Sequence, residues 1–205
     1  YSMAGMYRDE RINRIFEGTN EINRTIISSY TLKKAIMEEV PLRDLILERE
    51  SNWIPEVNIS DSQSIEKAAR VVEFTRSSVA FILNELILYY GQDLKNEQWV
   101  LEPFADLVIS LSVMDTCFKR YNQLAIGKHK DEVKEVLLLS LADQLDVVKN
   151  RSTDILNYLD SLTGGIERLE VFDSWFSKLN YSRNRIHLKK SIARTLLKYK
   201  KYYLD

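Results

Sequence analysis

Three long stretches of this chain repeat apolar residues every three or four positions, and each ends on a glycine. Residues 64–90 place Ile65, Ala69, Val72, Val79, Leu83, Leu86 and Tyr90 on one side and stop at Gly91. Residues 97–126 do the same with Val100, Phe104, Leu107, Leu111, Met114, Phe118 and Tyr121 before Gly127. Residues 131–162 follow with Val133, Leu137, Leu141, Leu145, Val148, Ile155 and Leu159 before Gly164-Gly165. This spacing matches the turn of an α-helix, and glycine just past such a stripe suits the left-handed residue that closes one. No strand pattern competes with it. Long helices joined by a few residues lie antiparallel, so the expectation is an all-α fold, an antiparallel up-down helical bundle. Two shorter helices, over residues 166–179 and 183–203, complete it.

Composition sets the outer limits. The 205 residues are 45% apolar and 29% charged, with only 6 Gly and 3 Pro, which suits long helices, few loops and one or two domains. No stretch approaches the roughly 18–20 uncharged apolar residues that span a bilayer. Cys117 is the one cysteine, so no internal disulfide is available, in keeping with a reducing compartment. Beside Phe118 in an apolar stretch, it reads as a buried structural thiol. The chain starts at Tyr1 with neither a Met nor a basic-then-apolar leader, which reads as the interior of a longer reading frame.

The first 50 residues have a different character. Residues 1–15 read as the end of a helix with Met3, Met6 and Tyr7 as its apolar side, and residues 20–39 as a second helix carrying Ile22, Ile26, Tyr30 and Met37. Pro41 is the expected stop of that helix and can open a short segment through Glu50. Residues 51–63, SNWIPEVNISDSQ, gather Pro55 and a cluster of turn formers, and are the expected linker and domain boundary. Between the first two helices, Glu17 stands directly before Gly18-Thr19-Asn20. Glycine lets the backbone turn and another molecule approach, and threonine is a good N-cap for the helix that follows. The pattern holds a carboxylate at a helix-to-helix corner. The free N–H groups of Thr19, Asn20 and Glu21, at the positive end of that helix, suit a nearby anion.

The whole run of residues 7–24, YRDERINRIFEGTNEINR, resembles the C-terminal signature of the acyl-CoA dehydrogenases, flavoenzymes that desaturate acyl-CoA thioesters between Cα and Cβ. The resemblance implies that Glu17, the glutamate of an (Y/F)EGT corner, is the base that removes the Cα proton. It implies Gly18 as a substrate contact and Thr19, Asn20 and Glu21 as contacts of FAD. It also implies that the Glu17 backbone N–H helps to hold the thioester oxygen. A dry pocket around Glu17 would raise its proton affinity and make it a better base. A smaller branch of the family carries its base on another helix and lacks this glutamate, so Glu17 points to the larger branch.

The match to the catalytic core covers residues 1–40, with Ser2 standing where relatives commonly carry Pro. Residues beyond 40 resemble, more loosely, the helical extension of the very-long-chain branch and its bacterial relatives. The organisation expected from the resemblance is thus the end of a catalytic helical domain (1–50), a linker (51–63) and an accessory helical bundle (64–205). The implied partners are an acyl-CoA substrate, an electron-transfer flavoprotein or similar acceptor, and further copies in a homo-oligomer. A peripheral membrane contact is implied through the extension, and the setting would be the cytoplasm of a bacterium or the mitochondrion of a eukaryote. A reading of a different class is a non-catalytic helical module for oligomerisation or membrane docking.

Charge singles out the C-terminus. Residues 181–205 carry eight Lys or Arg against Asp205 alone, while residues 1–180 hold 21 basic and 29 acidic side chains. Lys190, Arg194, Lys198 and Lys201 form one basic ridge, with Leu188, Ile192, Leu196, Tyr199 and Tyr203 nearly opposite. Such a helix suits an anionic membrane as well as a bundle exterior beside an acidic body. Nucleic acid is not expected, because the body is acidic and aromatic residues do not interleave with the charge. His129 and His187 have no spaced partner for a metal, and no catalytic triad, P-loop or dinucleotide fingerprint is present. Trp53, Trp99 and Trp175 read as packing anchors at element ends.

Overall fold

The apolar stripes are realised as helices. The computed structural model describes residues 2–49, 65–124, 130–164 and 167–199. Among these, eight α-helices form: α1 (Ser2–Glu10), α2 (Asn20–Ile36), α3 (Leu42–Arg49), α4 (Ile65–Tyr90), α5 (Gln98–Leu124), α6 (Lys130–Thr163), α7 (Arg168–Leu179) and α8 (Arg185–Tyr199). Short 3-10 turns occupy Ile12–Arg14 and Gly91–Asn96, and the described residues contain no strand. The expected linker at residues 51–63 lies outside the described residues, as do Trp53, Gly127, His129, Lys201 and Tyr203. No helix of the described residues is long and apolar enough to cross a membrane.

Helices α4, α5 and α6 make the core, burying Ile82, Leu86, Phe104, Leu107, Met114, Leu141, Ile155 and Leu159. A fully buried side chain of this kind contributes about 1.5–3 kcal/mol, so the stripes together dominate the stability. Helix α7 closes one side: Phe172 packs on Phe74 with ring centroids 6.0 Å apart, and Trp175 meets Phe81 edge-on at 4.9 Å. Helix α8 buries Leu188 and is tied to α6 by polar contacts. Arg185 pairs with Asp143 at 3.0 Å and Asp146 at 2.7 Å, and the Ser191 hydroxyl donates to Glu135 at 2.8 Å. Helix α2 lies against α5, and its Leu32 belongs to the same apolar cluster as the bundle.

Several local expectations change. Pro41 does not stop α2. Glu38 turns left-handed, with φ +57, and the amides of Glu39 and Glu38 donate to the carbonyls of Lys34 (3.0 Å) and Ala35 (3.2 Å). This is the paired-bond closure normally built on glycine. It ends the helix ahead of the proline, at a cost of about 1–2 kcal/mol for the non-glycine residue. Gly91 and Gly164 take positive φ as anticipated, but at Gly91 the chain continues as a 3-10 turn that buries Leu94. Trp99 is no packing anchor: it is 87% exposed at the start of α5. Cys117 is half-buried rather than buried and sits 3.4 Å from the Ser140 hydroxyl.

One buried cation joins three helices. Arg168 donates to Glu85 of α4 at 2.7 Å and to Asp160 of α6 at 3.2 Å. Asp160 in turn accepts the Leu169 amide at 3.0 Å, capping α7. Arg168→Met leaves two carboxylates facing an apolar side chain, and removing one partner of a buried pair typically costs about 3–5 kcal/mol. Urea unfolding should show a loss in that range, and a loss under about 1 kcal/mol would mean the pairs contribute little.

Candidate active-site corner

The path from α1 to α2 is a sequence of short-range constraints. The Phe16 amide donates to the Ile12 carbonyl at 2.9 Å, after which the backbone turns left-handed twice, with φ +55 at Glu17 and +103 at Gly18. Thr19 is extended, at φ −64 and ψ 160, and its hydroxyl oxygen accepts the Ile22 amide at 3.3 Å, so α2 starts with the predicted cap. The Asn23 side chain donates back to the Gly18 carbonyl at 3.2 Å. A Cβ on Gly18 would stand 3.1 Å from the Asn23 Oδ1. Glycine is therefore favoured by its backbone angle, and a Cβ would also make the Asn23 side chain give by a few tenths of an ångström.

Glu17 is exposed, and the described residues supply no dry pocket around it. What surrounds it is bare apolar surface. Ile15 and Phe16 before it are 71% and 60% exposed, and Ile22, Ile26 and Tyr30 along α2 are exposed as well. The expected apolar side of α1 is bare too, at Met6 and Tyr7.

The helix start also differs in detail from the expectation of three free amides. The Glu21 carboxylate draws on its own backbone N–H, and that bond, followed by the one from Thr19, holds its carboxyl below the usual range. The amides of Thr19 and Asn20 make no hydrogen bond among the described residues. They sit at the positive end of a 17-residue helix and suit an acceptor or anion. Glu17, Gly18, Thr19, Asn20 and Glu21 thus form one continuous rim: a carboxylate, a glycine opening, then unbonded amides.

Contacts that the sequence did not announce hold this rim in place. Arg24 donates through Nε to Asp106 of α5 at 2.7 Å and through a terminal nitrogen to the Asn20 carbonyl at 3.3 Å. Asp106 is buried, and its other oxygen accepts Arg151 of α6 at 2.9 Å. One turn further along α2, the Ser28 hydroxyl donates to the Leu101 carbonyl at 2.5 Å. The available signal for Asp106 was a charge set inside the apolar run Phe104–Leu107. Elsewhere, His187 is exposed, and the described residues contain no cluster able to hold a metal ion.

The chain is similar to known proteins in both sequence and structure. A Bacillus subtilis (strain 168) protein named "Probable acyl-CoA dehydrogenase" is 32% identical over 141 residues, which is 67% of this chain and 23% of that protein. The crystal structure of an acyl-CoA dehydrogenase complexed with FAD, from Bacillus anthracis, matches with a TM-score of 0.82 at 26% identity, over 99% of this chain and 35% of that one. The chain therefore spans well under half the length of either relative. No protein-family model matches it.

Two outcomes follow from the corner. Gly18→Ala should loosen the first turn of α2 by about 1–2 kcal/mol, the cost of a left-handed residue with a Cβ. Amide exchange at Ile22 and Asn23 reports this, and unchanged exchange would show that the corner relaxes freely. In an NMR titration the Glu21 carboxyl should show a midpoint below the ordinary value of about 4.3. Because its folded pKa is lowered, the support it gives α2 is present above the ordinary midpoint and is lost as pH falls through the depressed one. A midpoint at or above about 4.3 would contradict the hydrogen-bonded placement.

Proposed function

This chain is a relative of the acyl-CoA dehydrogenases in both sequence and fold, and from that premise we propose that it is the C-terminal part of an FAD-dependent enzyme oxidising acyl-CoA to trans-2-enoyl-CoA, as in fatty acid β-oxidation. The observation that carries this reading is the corner: a glutamate, rather than a glycine or asparagine, held at φ +55 immediately before Gly18. A left-handed non-glycine residue costs about 1–2 kcal/mol, and such strain gathers where function needs a side chain fixed. It fixes a carboxylate among exposed Ile15, Phe16 and Ile22, a surface able to become dry once covered.

In this reading Glu17 takes the proton from Cα of the thioester. The Glu17 backbone N–H supports the charge that develops on the thioester oxygen, as preorganised donors do. Gly18 leaves room for the acyl-CoA to approach the backbone. Thr19, Asn20 and Glu21 form the edge facing FAD. The unbonded Thr19 and Asn20 amides fit that role, whereas the Glu21 carboxylate, turned back on its own amide, fits it less well. FAD supplies the hydride acceptor for Cβ when bound.

The proposed organisation keeps residues 1–50 as the end of the catalytic helical domain, 51–63 as linker and 64–205 as accessory bundle. Its partners are acyl-CoA, an electron-transfer flavoprotein or similar acceptor, and further copies of the chain. A second reading, a non-catalytic module docking on membrane or protein, is favoured by α8. Lys190, Arg194 and Lys198 are exposed, and Ile186 and Leu197 stand 81% and 77% exposed among them, while Leu188 is buried and Ile192 and Leu196 are half-buried. Sedimentation with anionic vesicles, measured beside flavin content, separates the two readings.

The test of the catalytic role is Glu17→Gln in the longer flavoprotein. Glutamine keeps the shape but cannot accept the Cα proton, and positioned base catalysis is worth on the order of 10²–10⁴-fold. Turnover with a dye acceptor should fall by at least that much, with FAD content near normal. Near-normal turnover would move the base to another helix.

A further inference from the structure

We propose that Asp106, in the accessory bundle, is a positioning residue for the Glu17 corner, acting through Arg24 and backed by Arg151; the catalytic half of this inference rests on the reading of Glu17 as the base. The corner and Asp106 are far apart in sequence, yet one side chain, Arg24, connects them. Arg24 is the residue of α2 nearest the corner that bonds to α5. Its guanidinium bridges two acceptors, Asp106 Oδ1 at 2.7 Å and the Asn20 carbonyl at 3.3 Å. Asn20 is the first residue of α2, directly after the Thr19 cap and three residues after Glu17. The guanidinium therefore fixes the first peptide of the helix to a point on α5.

Asp106 is suited to be that point. Its side chain is 10% exposed and is held from the far side by Arg151, with nitrogens 2.8 and 2.9 Å from Oδ2. Bonds between charged groups at these lengths are about twice as strong as neutral ones and are directional. The carboxylate is clamped between α2 and α6 and cannot swing without breaking one side.

The alternative anchors of α2 are weaker or more distant from the corner. Ser28 and Leu32, its buried residues, lie one and two turns further on. Its opposite face is bare at Ile22, Ile26 and Tyr30, so among the described residues nothing presses the helix from that side. Without the Arg24–Asp106 bond, the first turn of α2 is free to pivot about Ser28, and Glu17 and the Thr19 and Asn20 amides pivot with it. A misplacement of about 1 Å at a reacting group can cost about 10²-fold in rate. The accessory bundle thus sets the register of the corner, although it supplies no reacting atom.

The test has two arms. In the 205-residue chain, Asp106→Asn keeps the side-chain volume and removes the charge. Amide exchange at Asn23, whose N–H is held by the Thr19 carbonyl at 2.9 Å, should accelerate by roughly tenfold or more relative to Leu86 in the core. Leu137→Ala, a buried α6 change about 21 Å along the helix from Arg151, should instead lower core protection without that selective rise at Asn23. If Asp106→Asn does not fold, Arg24→Lys serves in its place, since a lysine cannot bridge both acceptors.

In the flavin-loaded longer protein, Asp106→Asn should lower kcat about tenfold or more while leaving KM for acyl-CoA within about threefold. A purely structural role would not give a kcat loss confined to properly folded, FAD-replete enzyme. If Glu17→Gln abolishes turnover and Asp106→Asn alters neither exchange at Asn23 nor kcat, the positioning role is overturned and the reading of Glu17 survives. Faster exchange with unchanged kcat also overturns it. If Glu17→Gln leaves turnover intact, the reading of the corner has failed, whatever Asp106 does.

Discussion

A helix packed on two sides cannot turn to suit one neighbour without moving against the other, and α5 is in that position. One side sends Phe104, Leu107 and Met114 into the core shared with α4 and α6. The other side offers α2 the Leu101 carbonyl and the Asp106 carboxylate. The core is close-packed, so its rotation about the helix axis is fixed. Hydrogen-bond acceptors on the remaining side are then fixed in turn. The start of α2 inherits its position from apolar packing that it does not itself touch.

The corner draws on that rigidity. Two consecutive left-handed residues, one of them a glutamate, are unfavourable for an isolated peptide. They persist because the turn on either side is determined: the Phe16 amide is bonded back to Ile12, Thr19 caps α2, and Asn23 holds the Gly18 carbonyl. These bonds are mostly exposed and individually modest, near 1 kcal/mol each. Their collective direction comes from the helix behind them. The exposed Ile15, Phe16, Ile22 and Ile26 show that this surface is shaped but uncovered in the chain by itself.

Much of this was legible in the sequence, and the reason is periodicity. The stripes of residues 64–90, 97–126 and 131–162 each offered many positions, so the helices and their buried faces followed, with ends within a few residues. The Thr19 cap was equally plain, because a single side chain decides it. What escaped was decided by one residue against its usual habit or by residues remote in sequence. Glu38 closes α2 where glycine would be expected, Trp99 is left in solvent, and Glu21 spends its amide on its own carboxylate. Asp106 was not singled out in the sequence, and only the fold reveals that Arg24 and Arg151 converge on it.

The central claim is that Glu17 faces the α-carbon of an acyl thioester once its apolar surroundings are covered. The most direct test is a crystal structure of the longer FAD-loaded protein with a non-reactive acyl-CoA analogue. The predicted result is a Glu17 carboxylate oxygen in near-attack contact with the analogue's α-carbon, at about 3–3.5 Å, with Gly18 against the thioester. A Glu17 side chain directed away from the ligand, with another carboxylate at the α-carbon, would contradict it.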